Sequence, residues 1–333
     1  MTDKLQPSKP NQSSTKQSVR FVTVTEAHDG QRIDNFLMRE VKDIPRSFVY
    51  RILRKGEVRV DKKRAKPNRK LKVGESVRIP PMILPDKKQS KKAPQQLLDQ
   101  LEQSILLEDK DLILINKPAG LAVHGGTGSP YGLIEAFRQL RSTLPFVELA
   151  HRLDKDTSGI VILAKNRKAL LSLHDLFKSG GIDKYYQTLV HGQWEAGRQY
   201  VRNTLVCERG RKQKVQVQEG GKVAESIFYP RQKFAKTTLM EVKLLTGRMH
   251  QIRTQLAALD FPVLGDTQYG DFALNREFKK STGLKRLFLH AFKVEFKLPY
   301  SGTTYKKEIP LAEDLQQVVN IESRRDTGRV KKR

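Results

Sequence analysis

The amino-acid sequence predicts an α+β chain: a small basic unit, then a larger mixed one, with polar basic ends. Three observations carry this. The 333 residues exceed what one small domain needs. A stretch rich in Pro, Lys and Gln, residues 84–100, reads as a linker between a short basic segment and a longer apolar one. After it, strand-like and helix-like periods alternate without a regular βαβ repeat, which argues against a doubly wound sheet.

Residues 1–19 are polar, without periodicity, and are predicted to be a disordered tail. In residues 20–83, Phe21 to Val24 opens as a strand. Ile33, Phe36, Leu37 and Val41 recur at helical spacing until Pro45. Ser47 is placed to cap a second helix through Lys55, which Gly56 ends. Glu57 to Val60 alternates like a strand, Asp61 to Lys63 turns, and Val77 to Ile79 closes the unit. Residues 20–80 hold 17 basic and 8 acidic side chains, with Arg51, Arg54 and Lys55 on the second helix as candidate phosphate contacts. The run Ser47 to Val60 resembles the S4 RNA-binding domain.

In residues 101–320, Ile105 to Leu107 and Leu112 to Ile115 flank a turn, as in a hairpin. Leu133, Ile134, Phe137 and Leu140 predict a helix, and Ile160 to Leu163 a buried strand. Asn166 is predicted to cap a helix from Arg167 to Lys178, stopped by Gly180 and Gly181. Strands follow at Thr188 to Val190, Thr238 to Val242 and Val294 to Phe296. Arg209 to Lys214 reads as a basic hairpin, with Arg211 and Lys212 candidate RNA contacts, or as a solvated edge protected by charge. Residues 321–333 read as a basic tail.

The formal net charge is +27, which attracts polyanions strongly and with salt dependence. No apolar run approaches a membrane span, and Met1 to Ser18 lacks the apolar core of a secretory signal. The single cysteine, Cys207, rules out an intramolecular disulfide and suits a reducing compartment. Cytoplasmic location, no membrane partner and a monomer are the expectations.

The segment His151-Arg152-Leu153-Asp154-Lys155-Asp156-Thr157-Ser158-Gly159 precedes the buried strand and admits three readings. A calcium loop starting at Asp154 needs an acid at its twelfth position, where Lys165 stands. A structural turn would use the Asp and Thr-Ser-Gly side chains, and Asp156 fits that role. A catalytic carboxylate is the third: Arg152 and Asp154 alternate along an extended segment and can face one cleft, and a nearby arginine favours a carboxylate's charged form.

This segment is similar to the signature of the pseudouridine synthases of the ribosomal large-subunit type. Further stretches resemble that family in order: Asn116 to His124, Lys184-Tyr185-Tyr186, Gly247-Arg248-Met249-His250-Gln251-Ile252-Arg253, Gly265-Asp266 with Tyr269-Gly270, and Arg286 to Ala291. The resemblance implies a catalytic domain on a mixed, mostly antiparallel sheet with flanking helices. It implies an isomerase that turns specific uridines of 23S rRNA into pseudouridine, with no metal or redox cofactor. Its substrate would be 23S rRNA or a large-subunit assembly intermediate. By the same resemblance Asp154 is the catalytic carboxylate, Arg253 its partner, Tyr186 the neighbour of a flipped base, and Arg152 fills the space the uridine leaves. Tyr185 is expected in the core. Met249, Gln255 and Phe261 depart from the family pattern and put supporting hydrogen bonds in question. Two alternatives remain at this point: a non-catalytic RNA-binding or ribosome-assembly protein, and a base-releasing glycosidase using Asp156 as a second carboxylate.

Overall fold

The structure is a computed structural model that describes residues 15–41, 44, 46–84, 92–126, 131–208 and 214–330. Arg211 and Lys212 lie outside the described residues. The chain divides into two units, residues 1–92 and 93–333.

In the first unit, β1 (Thr15–Gln17) pairs with β6 (Met82–Leu84), so the predicted N-terminal tail contains a strand. A second sheet holds β2 (Arg20–Thr23), β5 (Ser76–Ile79), β3 (Arg59–Val60) and β4 (Lys63–Arg64) in that order. Helices α1 (Ile33–Glu40) and α2 (Arg46–Lys55) share one core with Val60 and Val77, through Phe36, Leu37, Ile52 and Leu53. α2 already begins at Arg46, so Ser47 sits inside the helix and does not cap it. Gly56 ends α2 with φ +73, a conformation glycine adopts freely.

The second unit is built on one eleven-stranded sheet. Helix α3 (Gln95–Gln103) opens it and buries Leu101, correcting the linker: residues 95–100 are helical because Leu97, Leu98 and Leu101 share an apolar face. Then come β7 (Ile105–Glu108), β8 (Leu112–Lys117), α4 (Leu133–Leu140), β9 (Glu148–Leu149), β10 (Ser158–Ala164) and α5 (Arg167–Ser179). Asn166 caps α5 by accepting from the Ala169 N–H at 2.8 Å. The chain continues through β11 (Ile182–His191), β12 (Gln199–Glu208), β13 (Lys214–Val217), β14 (Lys222–Lys233) and β15 (Thr237–Leu244). It ends with α6 (Gln251–Ala258), α7 (Phe272–Thr282), β16 (Leu289–Lys297), β17 (Thr304–Glu308) and α8 (Glu313–Val330).

α8 corrects the C-terminal tail. Leu315, Val318 and Val319 pack into a core with Phe234 and Phe288, and Glu322 is buried one turn on. That spacing is a helical stripe, which the surrounding charge obscured.

The path across the sheet is β13-β12-β14-β15-β11-β16-β10-β8-β7. β10 against β16 is the one parallel pairing described; the others are antiparallel. β10 is buried along its whole length, which its unbroken apolar run demands of a central strand. Trp194 and Phe137 are fully buried in the core around it. Among the described residues no helix is long and apolar enough to cross a membrane.

Candidate active site

Asp154 lies in the loop between β9 and β10. The turn is closed by main chain, from the Thr157 N–H to the Asp154 carbonyl at 3.2 Å. Asp156 is exposed beside it. Gly159 follows with φ +116, and a Cβ there would strike the Ala291 main chain, so β10 and β16 approach as only glycine permits. Register extends this contact sideways. Gly159 pairs with Ala291, Ala291 with Tyr186, and Tyr186 with Val242. A bulge at Phe292 of β16 sets that alignment, and the alternation of β11 turns Tyr185 and Tyr186 to opposite faces.

Three more anchors hold the loop. Lys117 is completely buried, and its Nζ donates to the carbonyls of Pro118, Leu121 and Lys155 at 2.9, 2.9 and 3.1 Å. Burial pushes its pKa down to about 7, against the pull of the Asp156 and Asp154 charges. His151 accepts the Ile162 N–H at 3.1 Å and rests on Phe177; burial, helped by the Lys184 charge, pushes it down to about 3. Ser158 meets His290 Nδ1 at 2.8 Å and accepts from Arg286 at 3.1 Å, while Arg286 also grips Asp314 on α8.

Across the loop stands α6. Arg253 is 8 % exposed. Its Nε and Nη2 bind the two oxygens of Asp266 at 2.7 and 2.8 Å, leaving Nη1 to donate to Asp154 Oδ2 at 3.3 Å. Asp266 also accepts from the Gln268 and Tyr269 N–H groups, at 2.8 and 3.1 Å. Burial works to raise the Asp266 pKa, but Arg253 and these N–H groups hold it below its ordinary value. Tyr269 lies under the guanidinium, 4.9 Å from ring centre to Cζ. Its hydroxyl is 2.8 Å from His250 Nδ1, and His250 Nε2 is 3.7 Å from Asp154 Oδ2. His250 has φ +54, strained for a non-glycine residue, and Gln251 braces it by accepting from Thr246 Oγ1 and the Arg248 N–H.

A cleft of about 280 Å³ opens between these parts. Arg152, Asp154, Tyr186 and Arg253 all line it, so residues from three stretches distant in sequence are brought together. Asp154 is the sole carboxylate on its wall among the described residues. Burial, and secondarily the Asp154 charge, push the Tyr186 phenol above its ordinary pKa, so the hydroxyl stays protonated near neutrality. Tyr185, expected in the core, is half-exposed with the Lys243 and Lys293 ammonium groups 5.4 and 5.5 Å from its ring centre. A larger hollow of about 380 Å³ lies by α7 and α8, but its buried carboxylate, Glu322, is already bonded to Thr237 and Arg325. The larger hollow therefore offers no unpaired buried carboxylate among the described residues.

Sequence reasoning gave no role to Lys117, His250, Asp266 or Tyr269. Each lies within a stretch that carries the family resemblance, so position was the available signal; partner was not. Of the departures, Gln255 is fully buried, accepting from Ser226 at 2.7 Å and donating to Asn203 at 3.0 Å and to the Ala224 carbonyl at 3.2 Å. Phe261 packs on Trp194, and Met249 on the β12–β14 cluster. Arg51, Arg54 and Lys55 are exposed on α2.

A profile of the RNA pseudouridylate synthase family matches residues 111–258, and one of the S4 domain matches residues 31–77. Ribosomal large subunit pseudouridine synthase C of Pasteurella multocida is 40% identical over 93% of this chain and 96% of its own. The protein of that name from Escherichia coli strain K12 is 43% identical over 90% of this chain and 95% of its own. Among solved structures, human RNA pseudouridylate synthase domain containing 4 shares the fold, with TM-score 0.59 and 24% identity, covering 68% of this chain and 96% of that one. The chain belongs to the RNA pseudouridylate synthase family, with an S4 domain ahead of the synthase fold.

Proposed function

We propose that this enzyme isomerises specific uridines of large-subunit ribosomal RNA, 23S rRNA, to pseudouridine, with Asp154 as the catalytic carboxylate. The observation that carries the reading is the Asp266–Arg253–Asp154 chain at the wall of a cleft that also holds buried Tyr186. In the reaction the N1–C1′ bond breaks, the uracil turns, and a C5–C1′ bond forms. The C5 proton leaves and N1 gains one, so nothing is oxidised or reduced. Asp154 acts on the sugar, as nucleophile at C1′ or as base, and both roles require one carboxylate aimed into the cleft.

Arg253 orients that carboxylate, because two of its nitrogens are fixed on Asp266 and the third has one direction left. A uridine must leave its stack to reach the cleft, and Tyr186 offers an aromatic wall to the base. Arg152 occupies the mouth and takes the place the uridine vacates. Arg51, Arg54 and Lys55, with Arg211 and Lys212, attract the RNA backbone. The single carboxylate also speaks against the glycosidase alternative, which needs two across the bond. Tritium release from 5-tritiated uracil in unmodified 23S rRNA tests the proposal. Release by the native chain and none by Asp154→Asn is expected; full turnover by Asp154→Asn would refute the assignment.

A further inference from the structure

The first unit carries a second charged surface, set by sheet register. Phe21 stands opposite Arg78, Arg78 opposite Arg59, and Arg59 opposite Arg64. Residues directly opposite in antiparallel strands point to the same side. The adjoining row is Val22, Val77 and Val60, and it faces the helices: Val60 and Val77 are fully buried with Ile52 and Leu53, and Val22 packs against them. The Phe21 row is therefore turned outward. Phe21 is 69% exposed, Arg59 and Arg64 are exposed, and Arg78 is half-buried, donating to the Glu57 carbonyl at 2.8 Å.

Both features of this row are costly to the free protein. Like charges directly opposite on a sheet repel, and an exposed aromatic gains nothing from water. The ion pairs described in this unit, Arg32–Asp34, Lys55–Glu57 and Arg69–Glu75, lie elsewhere and leave the three arginines without a carboxylate among the described residues. A strand of RNA removes both costs, since its phosphates neutralise arginines and its unstacked bases pile on aromatic rings. With about 4.8 Å between strands, the row is about 15 Å long.

We propose that this outward row is an RNA-contact surface, with phosphates on Arg78, Arg59 and Arg64 and an unpaired base stacked on Phe21. It is carried by the sheet and not by α2, although Arg64 packs against Gly56 and Arg78 donates to the Glu57 carbonyl at the end of that helix. The inference rests on the reading of the chain as an RNA-acting enzyme, and it adds the kind of RNA held: an unpaired segment, since a paired base cannot offer its face to Phe21.

The test uses the full chain, a fluorescein-labelled oligouridylate and an RNA duplex of equal length. Phe21→Ala is expected to weaken oligouridylate binding about tenfold and duplex binding less, with Phe21→Trp restoring it. Arg59→Gln combined with Arg64→Gln is expected to make the slope of log affinity against log salt shallower by about 1.4, and the two Lys replacements to keep it. Unchanged affinity and slope, with native thermal melting, overturn the inference. So does loss of binding to phosphatidylserine vesicles with RNA binding intact, which would assign the face to a membrane. Turnover by Asp154→Asn is read separately: were it normal, the isomerase reading would fail whatever the titrations gave.

Discussion

Arg253 and Arg59 are both arginines of a strongly basic chain, and the two units treat them in opposite ways. Arg253 is buried, with two nitrogens on Asp266, one on Asp154 and a tyrosine ring beneath it. Arg59 is exposed, beside two further arginines in register. A reacting group must be held within a fraction of an ångström, which burial and paired hydrogen bonds achieve. Attraction of a polyanion requires only that charge remain uncompensated and face water. Charges that are compensated and charges that are not therefore mark different jobs in the two units, and each substitution below tests one side of that contrast.

The largest effect is expected at the compensated end. Asp154→Asn should reduce tritium release by at least about 10³-fold while leaving the fold intact, since the side chain is 21% exposed. Retained turnover with native melting would break the comparison. Next, Arg253→Met leaves the buried Asp266 carboxylate without its cation, held only by the Gln268 and Tyr269 N–H groups, at a cost of about 3–5 kcal/mol in unfolding free energy. The single tryptophan, buried Trp194, reports that transition in urea. A loss under about 1 kcal/mol would mean that Asp266 finds another partner.

His290 sharpens the contrast by pH. Burial pushes it down to about 4 from an ordinary 6.5. Between those values the unfolded chain binds the proton and the folded chain does not, so stability falls as pH falls through that window. The slope is at most about 1.4 kcal/mol per pH unit from this group. His290→Asn should flatten the pH dependence of the Trp194 transition between pH 6.5 and about 4; an unchanged slope would assign it to other groups. The smallest effect belongs to the uncompensated surface. Arg51→Gln with Arg54→Gln should weaken 23S rRNA binding about tenfold at moderate salt and make its salt dependence shallower. A loss that persisted at high salt would mean that these residues do more than attract.

Helix α5 was legible in the sequence because its cap, its stripe and its stopping glycine are all local. β10 was legible because an unbroken apolar run has few other uses. α8 was not, since its buried stripe is interleaved with charge and its partners, Phe234 and Phe288, are remote. At the site, motif resemblance located Asp154 and Arg253 but not what fixes them. That Arg253 spends two nitrogens on Asp266 depends on a turn that no spacing specifies. Tyr185 and Tyr186 are adjacent and chemically alike, and the face of the sheet to which each alternates decides which enters the cleft. Arg211 and Lys212 lie outside the described residues, so their place in the proposal rests on sequence.

The parallel junction of β10 and β16 has a consequence for how the enzyme comes into being. It joins Ser158 to His290 and Gly159 to Ala291, residues separated by most of the synthase fold. Contacts of such long range form only after a large loop has closed, which makes them slow. A growing chain can contain Asp154, Tyr186 and Arg253 and still lack the strand that sets their loop against Ala291. Catalytic competence is thus expected only once β16 (Leu289–Lys297) has been made, and an amino-terminal fragment that ends before it is predicted to bind RNA without altering it.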